Sequence, residues 1–541
     1  MRWPVAVGAV ISLAVGSLIA GGTSAGRSGR ALSTGCPARV DASAFADAGE
    51  LERLNARIAG FGLRTTASPA HDRLLRWLEG RLKRIPGMSV RSDSYVIRRW
   101  QPTPKAATGP GRDLGEAGRL AVLNGGRASV RVATAGAVPY SRPTGAAGRT
   151  GRLKYLPRDR SITAANARGR IVIRDVPDTP IPNARSGPPR KTRAAEGSGR
   201  PYTANFGPDL LAAGRAGAAG VVFAWDVPAG QVRGYFDPHQ GTHWAVPAVW
   251  AGVDEAVLLK RMAARGRTAR ITVLAEADDA STRNLIATLP GRGGERIVVN
   301  TNTDGNTWVQ ENGNAAVLAL ARYLAALPAR CRPRTYEFVF STAHLHMSKE
   351  GAERHARRLD SRYDSGSVAF VFAVEHLGTR EILPVDRTDG PGRRLVFTGR
   401  GEPYGWFAGE SRVLAQALKK AVDARGVPQT MVLPGLDPPD ASRVPVHCSF
   451  GGLGTAYQRR LIPTLAGVSG PWSLWAPSFG RRAIDFHRMH AQTLTVGDTL
   501  LALDDLPRAA LAGEYPAERA RRAAGNPTCP AETYPEQAPM R

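Results

Sequence analysis

Cysteine is scarce in this chain. Four cysteines in 541 residues cannot form a disulfide framework that stands in for a hydrophobic core. No two of them lie close in sequence, whereas thiolate zinc sites usually begin with a Cys-x2–4-Cys pair. Lysine is scarce as well: 65 of the 73 basic residues are arginine, a bias that fits a GC-rich coding sequence. A Gly-x-Ser-x-Gly occurs at Gly22-Thr23-Ser24-Ala25-Gly26, directly after the N-terminal apolar stretch and not in the strand-to-helix turn that a nucleophile elbow needs, so a serine hydrolase has no visible nucleophile. Gly399-Arg400-Gly401-Glu402-Pro403 lacks the Gly-Lys-Ser/Thr ending of a phosphate loop. No internal repeat of about 20–50 residues is visible.

What is present describes a folded, exported protein. Hydrophobic residues make up 43% of the chain, which excludes disorder, and the length suggests roughly two to four domains. Arg2 precedes an apolar stretch from Pro4 to Ala20, followed by the small residues Thr23-Ser24-Ala25, the pattern of a secretory signal peptide. A bilayer span needs about 20 predominantly apolar residues; this stretch has 17, including two glycines and two serines. Secretion permits disulfides. Four cysteines allow three pairings, and Cys36–Cys529 with Cys331–Cys448 is the expectation. The net charge of +27 is spread along the chain in small clusters such as Arg190-Lys191-Thr192-Arg193. No nucleic-acid-binding motif accompanies it, so specific recognition of nucleic acid is not supported; a weak attraction to an anionic polymer or membrane surface is.

Periodicity sets out the elements. A helical stretch surrounds Phe45 to Gly60. Ser68-Pro69 starts a helix with an N-cap and a first-turn proline, and Leu74, Trp77, Leu78 and Leu82 form its apolar stripe. Val90 to Ile97 reads as a strand, and 103–160 as loops and short strands. A compact α/β module follows: strand Ile171 to Ile173, helix Asp209 to Ala216, strands Val221 to Trp225 and Val246 to Val249, helix Asp254 to Ala263, and strand Ile271 to Leu274. From about Asn284, strands (285–289, 297–301, 336–341, 368–374, 465–468) alternate with helices (315–327, 348–358, 411–422, 489–503), with a further strand at 394–398. That is the pattern of a doubly wound α/β sheet, mixed but mostly parallel and flanked by helices. His355 falls on a helix face among charges and reads as solvated.

The order of parts resembles the secreted zinc-dependent aminopeptidase and carboxypeptidase family that also contains glutamate carboxypeptidase II and transferrin receptor. Gly169-Arg170-Ile171-Val172-Ile173, Ala216-Gly217-Ala218-Ala219-Gly220-Val221-Val222 and Val246-Pro247-Ala248-Val249 resemble the protease-associated domain inserted in many members. Asn284-Leu285-Ile286-Ala287-Thr288-Leu289-Pro290-Gly291 resembles the strand that re-enters the peptidase domain. The resemblance covers roughly 50–515 and implies a signal peptide (1–25), an N-terminal part of the peptidase-like domain (26–110), a loop region with the inserted domain (111–280), the rest of the peptidase-like domain (281–515) and a tail (516–541).

Active members hold two zinc ions at the carboxyl ends of the sheet, through a His-x-Asp, a bridging Asp-Asn, a Glu-Glu pair, a further Asp and a distant His. Carried onto this sequence, His-x-Asp falls on Asn302-Thr303-Asp304: the orienting Asp304 is kept and the ligand histidine is replaced. The bridging position falls on Glu311, a carboxylate one methylene longer that could still span two dications about 3.5–4 Å apart. The Glu-Glu pair falls on His344-Leu345, the next Asp on Glu375, and the last His on His487 or, as the alternate, His490. Asn302 is a poor zinc ligand beside imidazole, and Leu345 offers no donor.

Two functions remain open from the sequence. A degenerate, non-catalytic or impaired member would bind a peptide or another cell-envelope component. An altered hydrolase would use a reduced, single-metal set of Glu311, Glu375 and His487, with zinc possible and His344 as the base; His346, His376 and His447 are spare donors.

Overall fold

A computed structural model describes residues 35–103, 112–176, 204–239, 241, 243–346, 348 and 350–530. The expected signal peptide, the Arg190-Lys191-Thr192-Arg193 cluster and residues 531–541 of the expected C-terminal tail lie outside them.

Strands of unbroken apolar character build one large sheet. Val368–Val374 and Thr335–Ser341 are buried along their whole length, which requires cover on both faces. The sheet has eight strands in the spatial order Ser89–Pro102, Ala275–Leu289, Thr335–Ser341, Arg296–Asn302, Val368–Val374, Thr464–Val468, Tyr404–Phe407, Thr430–Leu433. The four central strands run parallel, while the long outer pair, Ser89–Pro102 and Ala275–Leu289, is antiparallel. The mixed, mostly parallel α/β arrangement read from the sequence is therefore the one observed.

Helices pack where the sequence provides stripes and caps. The Ser68 hydroxyl accepts from the backbone N–H of His71 and opens the helix Pro69–Leu82. Ser411 does the same for Arg412–Arg425. The alanine-rich helix Gly313–Ala326 is buried over nearly its full length. Along Glu350–Tyr363, His355 faces inward rather than into solvent: it is 2% exposed, hydrogen-bonded to Glu337 at 3.0 Å and to the Tyr457 hydroxyl at 3.0 Å. The buried carboxylate of Glu337 on the adjoining strand supplies the polar partner that turns this histidine toward the core.

A second eight-stranded sheet is formed within residues 118–273, in the order Arg127–Val132, Gly118–Asn124, Thr268–Val273, Arg149–Tyr155, Arg170–Asp175, Gly220–Ala224, Ala248–Ala251, Gly136–Ala137. Residues 103–160, read as loops and short strands, supply four of its strands, and Gly118–Asn124 pairs in register with Thr268–Val273. The two sheets share an aromatic seam. Trp225 meets Trp472 edge-on at 5.2 Å between centroids, and Tyr235 lies 5.4 Å from Trp472.

The disulfides differ from the expected pairing: Cys36 bonds Cys331, and Cys448 bonds Cys529. The reason is where the chain ends dock. The N-terminal segment lies beside Gly313–Ala326 and Phe486–Leu503, with Val40 N–H donating to Asp498 at 2.8 Å and Asp41 N–H to the Tyr323 hydroxyl at 2.9 Å. The C-terminal segment instead runs beside Val444, whose N–H donates to Pro527 O at 2.9 Å. The two ends never meet, so the Cys36–Cys529 bond is geometrically closed off.

Candidate functional site

Three parallel neighbours, Arg296–Asn302, Thr335–Ser341 and Val368–Val374, end on the same side of the sheet. The loops that follow them converge there, the usual place for a site in an open α/β fold. Asn302, Asp304 and Glu311 come from the first loop, His344, Leu345 and His346 from the second, Glu375 and His376 from the third. The sequence thus brings most of its candidates to one end of the sheet.

Asp304 is wholly buried and its oxygens are spoken for. The Thr66 hydroxyl and the Leu345 N–H donate to Oδ2, each at 2.7 Å, and the His344 N–H to Oδ1 at 3.3 Å. Burial pushes its carboxyl up to about 6, against the pull of these donors. Asp304 therefore anchors the loop after Thr335–Ser341. Leu345, also wholly buried, has its carbonyl capped by the Tyr140 hydroxyl of the second sheet's unit at 3.0 Å. Asn302 donates from Nδ2 to the Asp304 carbonyl at 3.0 Å, and its Oδ1 has no donor among the described residues.

Glu311 meets a cation that the sequence reading did not single out. Arg64 is 0% exposed and forms an ion pair with Glu311. Arg64 and Gly305 exchange backbone hydrogen bonds of 2.8 and 3.1 Å, which aims the guanidinium at the carboxylate. Its nitrogens also donate to the carbonyls of Ala59 (3.4 Å), Gly62 and Thr307 (3.2 Å). Ala59 closes the helix Ala48–Ala59, and a helix C-terminus favours a cation. Burial pulls the guanidinium down to about 9, with Asp304 opposing, so it is charged at neutral pH. Gly305 has no room for a side chain, because a Cβ there would run into the Glu311 carboxylate.

Glu375 forms a second cluster. Its Oε1 accepts from the Leu453 N–H at 2.7 Å. Its Oε2 faces His344 Nε2 at 3.5 Å and His376 Nε2 at 3.7 Å. His376 has a left-handed backbone (φ 56°) and donates from Nδ1 to the Ser469 carbonyl at 2.9 Å. Burial pulls it down to about 4, so it is a neutral imidazole at pH 7. His239, from the second sheet's unit, donates to the His344 carbonyl at 2.9 Å, with the two rings 5.4 Å apart.

The remaining histidines stand elsewhere. His346 donates to the Arg98 carbonyl at 2.9 Å and accepts from the Ser348 N–H at Nδ1. His447 is bonded to the Asp437 carbonyl at 2.8 Å. His487 is exposed in the first turn of Phe486–Leu503, under the Asp485 cap, and His490 sits against the Phe45 ring. Neither contacts Glu311 or Glu375 in any interaction seen.

These residues do not fit a pair of zinc ions. The bridging carboxylate faces a guanidinium, the paired glutamates are an imidazole and an aliphatic side chain, and neutral amide oxygens such as that of Asn302 are weak zinc donors. Among the described residues, no group of three or more His, Cys, Asp or Glu stands where one ion could be held.

Arg64 and His239 escaped the sequence reading. Arg64 is one of 65 arginines with no local mark of its role, and His239 arrives from a separate sheet.

No protein-family model matches the chain, and no curated protein does. Solved structures are similar to it. A zinc aminopeptidase from Bacillus subtilis superposes with a TM-score of 0.58 at 14% identity, over 86% of this chain and 97% of that one. A Peptidase M28 precursor from Shewanella amazonensis SB2B gives 0.52 at 15% identity, over 84% and 95%. An aminopeptidase from Aneurinibacillus sp. strain AM-1 gives 0.50 at 15% identity, over 84% and 93%. At such identities the likeness shows the fold: this is a zinc-aminopeptidase-like α/β fold.

Proposed function

We propose that this chain is a non-catalytic or impaired relative of the zinc exopeptidases, exported from the cell, whose task is to bind a peptide or another cell-envelope ligand. The observation that carries this reading is the buried Leu345 in place of a ligand carboxylate, with both oxygens of Asp304 committed to Thr66 and to the loop of His344 and Leu345. A loop tied down in this way is a structural strap rather than a metal cradle. Export is supported by two disulfides. The sheet within 118–273 is read as the protease-associated insertion, and the arginine charge scattered along the whole chain favours a weak attraction to anionic surfaces.

The His344–Glu375 approach of 3.5 Å favours one second reading, an altered peptide or amide hydrolase in which His344 takes a proton from water. Aminoacyl-p-nitroanilide and dipeptide hydrolysis by the purified mature protein separates the two. No turnover above buffer, together with saturable binding of peptides from a synthetic mixture, is expected. Turnover abolished by His344→Ala and by Glu375→Gln overturns the binding reading.

A further inference from the structure

We infer that Arg64 is a built-in replacement for a metal ion: its guanidinium supplies the positive charge at Glu311, excludes divalent cations from that carboxylate, and makes the site independent of metal. The inference rests on Glu311 occupying the bridging position that the resemblance assigns, and not on whether the protein hydrolyses peptides.

Three observations support it. First, the positions are complementary. Glu311 is 1% exposed and Arg64 0%, and a buried carboxylate in the charged form requires a cationic partner or a metal. Second, the guanidinium is held from several directions. Backbone bonds between Arg64 and Gly305 set the direction of the side chain, and the carbonyls of Ala59, Gly62 and Thr307 take its N–H groups. A side chain fixed in this way is not easily displaced by an ion that would first have to shed its water. Third, the neighbourhood retains acceptors suited to a cation. The amide oxygens of Asn302, Asn306 and Asn314 are buried without donors among the described residues. A site of that polarity needs positive charge, and Arg64 provides it from within the chain.

Removing the guanidinium should therefore leave a cation site behind. The test uses the full mature protein, dialysed against chelator and titrated separately with zinc and calcium chloride, followed by calorimetry, bound-metal analysis and thermal unfolding. Wild type is expected to bind neither ion at Glu311 and to unfold at the same temperature with metal or chelator. Arg64→Ala is expected to unfold several degrees lower in chelator and to recover part of that loss when either ion binds saturably. Should Arg64→Ala fail to fold, Arg64→Ala with Glu311→Gln, which buries no unpaired charge, is expected to fold where the single variant does not. The inference is overturned by saturable metal binding in wild type that Glu311→Gln abolishes, by an Arg64→Ala protein that folds but responds to neither ion, or by a double variant that fails to fold as the single one does.

Discussion

The disulfide Cys448–Cys529 ties the end of the chain to the loop around Val444, across 81 residues; Cys36–Cys331 closes 295. In the chain-entropy picture a crosslink stabilises by restricting the unfolded ensemble, and the restriction grows with the logarithm of loop length. For these loops the relation gives about 4.5 and about 5.7 kcal/mol, upper values because denatured chains retain some order. Both crosslinks therefore matter, and the longer one by roughly 1 kcal/mol more. The perturbation is the paired replacement Cys448→Ser with Cys529→Ser, set against Cys36→Ser with Cys331→Ser. Urea unfolding at neutral pH should show both variants destabilised, the second slightly more. Peptide mapping of the intact protein without reductant should recover Cys36 linked to Cys331. Recovery of a Cys36–Cys529 peptide would refute the docking of the two chain ends and everything derived from it.

Burial pulls His71 down to about 3, with its Nε2 bonded to the Thr303 hydroxyl at 2.8 Å. The unfolded chain takes up this proton below about 6.5 and the folded one does not until about 3, so stability falls as pH drops through that window. His71→Gln should flatten the fall between pH 7 and pH 4 by up to roughly 3 kcal/mol in urea titrations; an unchanged slope contradicts a buried neutral imidazole. Gly305→Ala places a methyl against the Glu311 carboxylate and should cost about 1–3 kcal/mol by overpacking, read as a lower urea midpoint with the slope unchanged. Trp472→Ala, which opens the seam with Trp225 and Tyr235, should cost about 3–5 kcal/mol, and a loss under 1 kcal/mol would mean that the seam does little to stabilise the fold.

Elements with strong periodicity and local caps were legible in the sequence. The helix opened by Ser68, the one opened by Ser411 and the fully apolar strand Val368–Val374 lie where residue spacing puts them, because their signals are confined to a few neighbouring residues. The convergence of the 302–312, 344–346 and 375–376 segments was legible through the order of strands. What stayed hidden depends on distant chain segments meeting. Arg64 and Glu311 are brought together by the fold, and so are Cys448 and Cys529. His355 on its charged helix looks solvated until Glu337, from the neighbouring strand, is seen beneath it. The polar character of a helix face does not reveal what lies under it.

The aromatic seam between the sheets bears on how this chain can be cut. Asn306 donates to the Gly234 carbonyl at 2.6 Å and Phe236 N–H to the Trp475 carbonyl at 2.9 Å, so the units built on the two sheets are stitched by hydrogen bonds as well as by rings. Neither half would make a portable cassette: excising one strips the other of its lid and leaves indoles facing water, and the expected fate of such a fragment is precipitation.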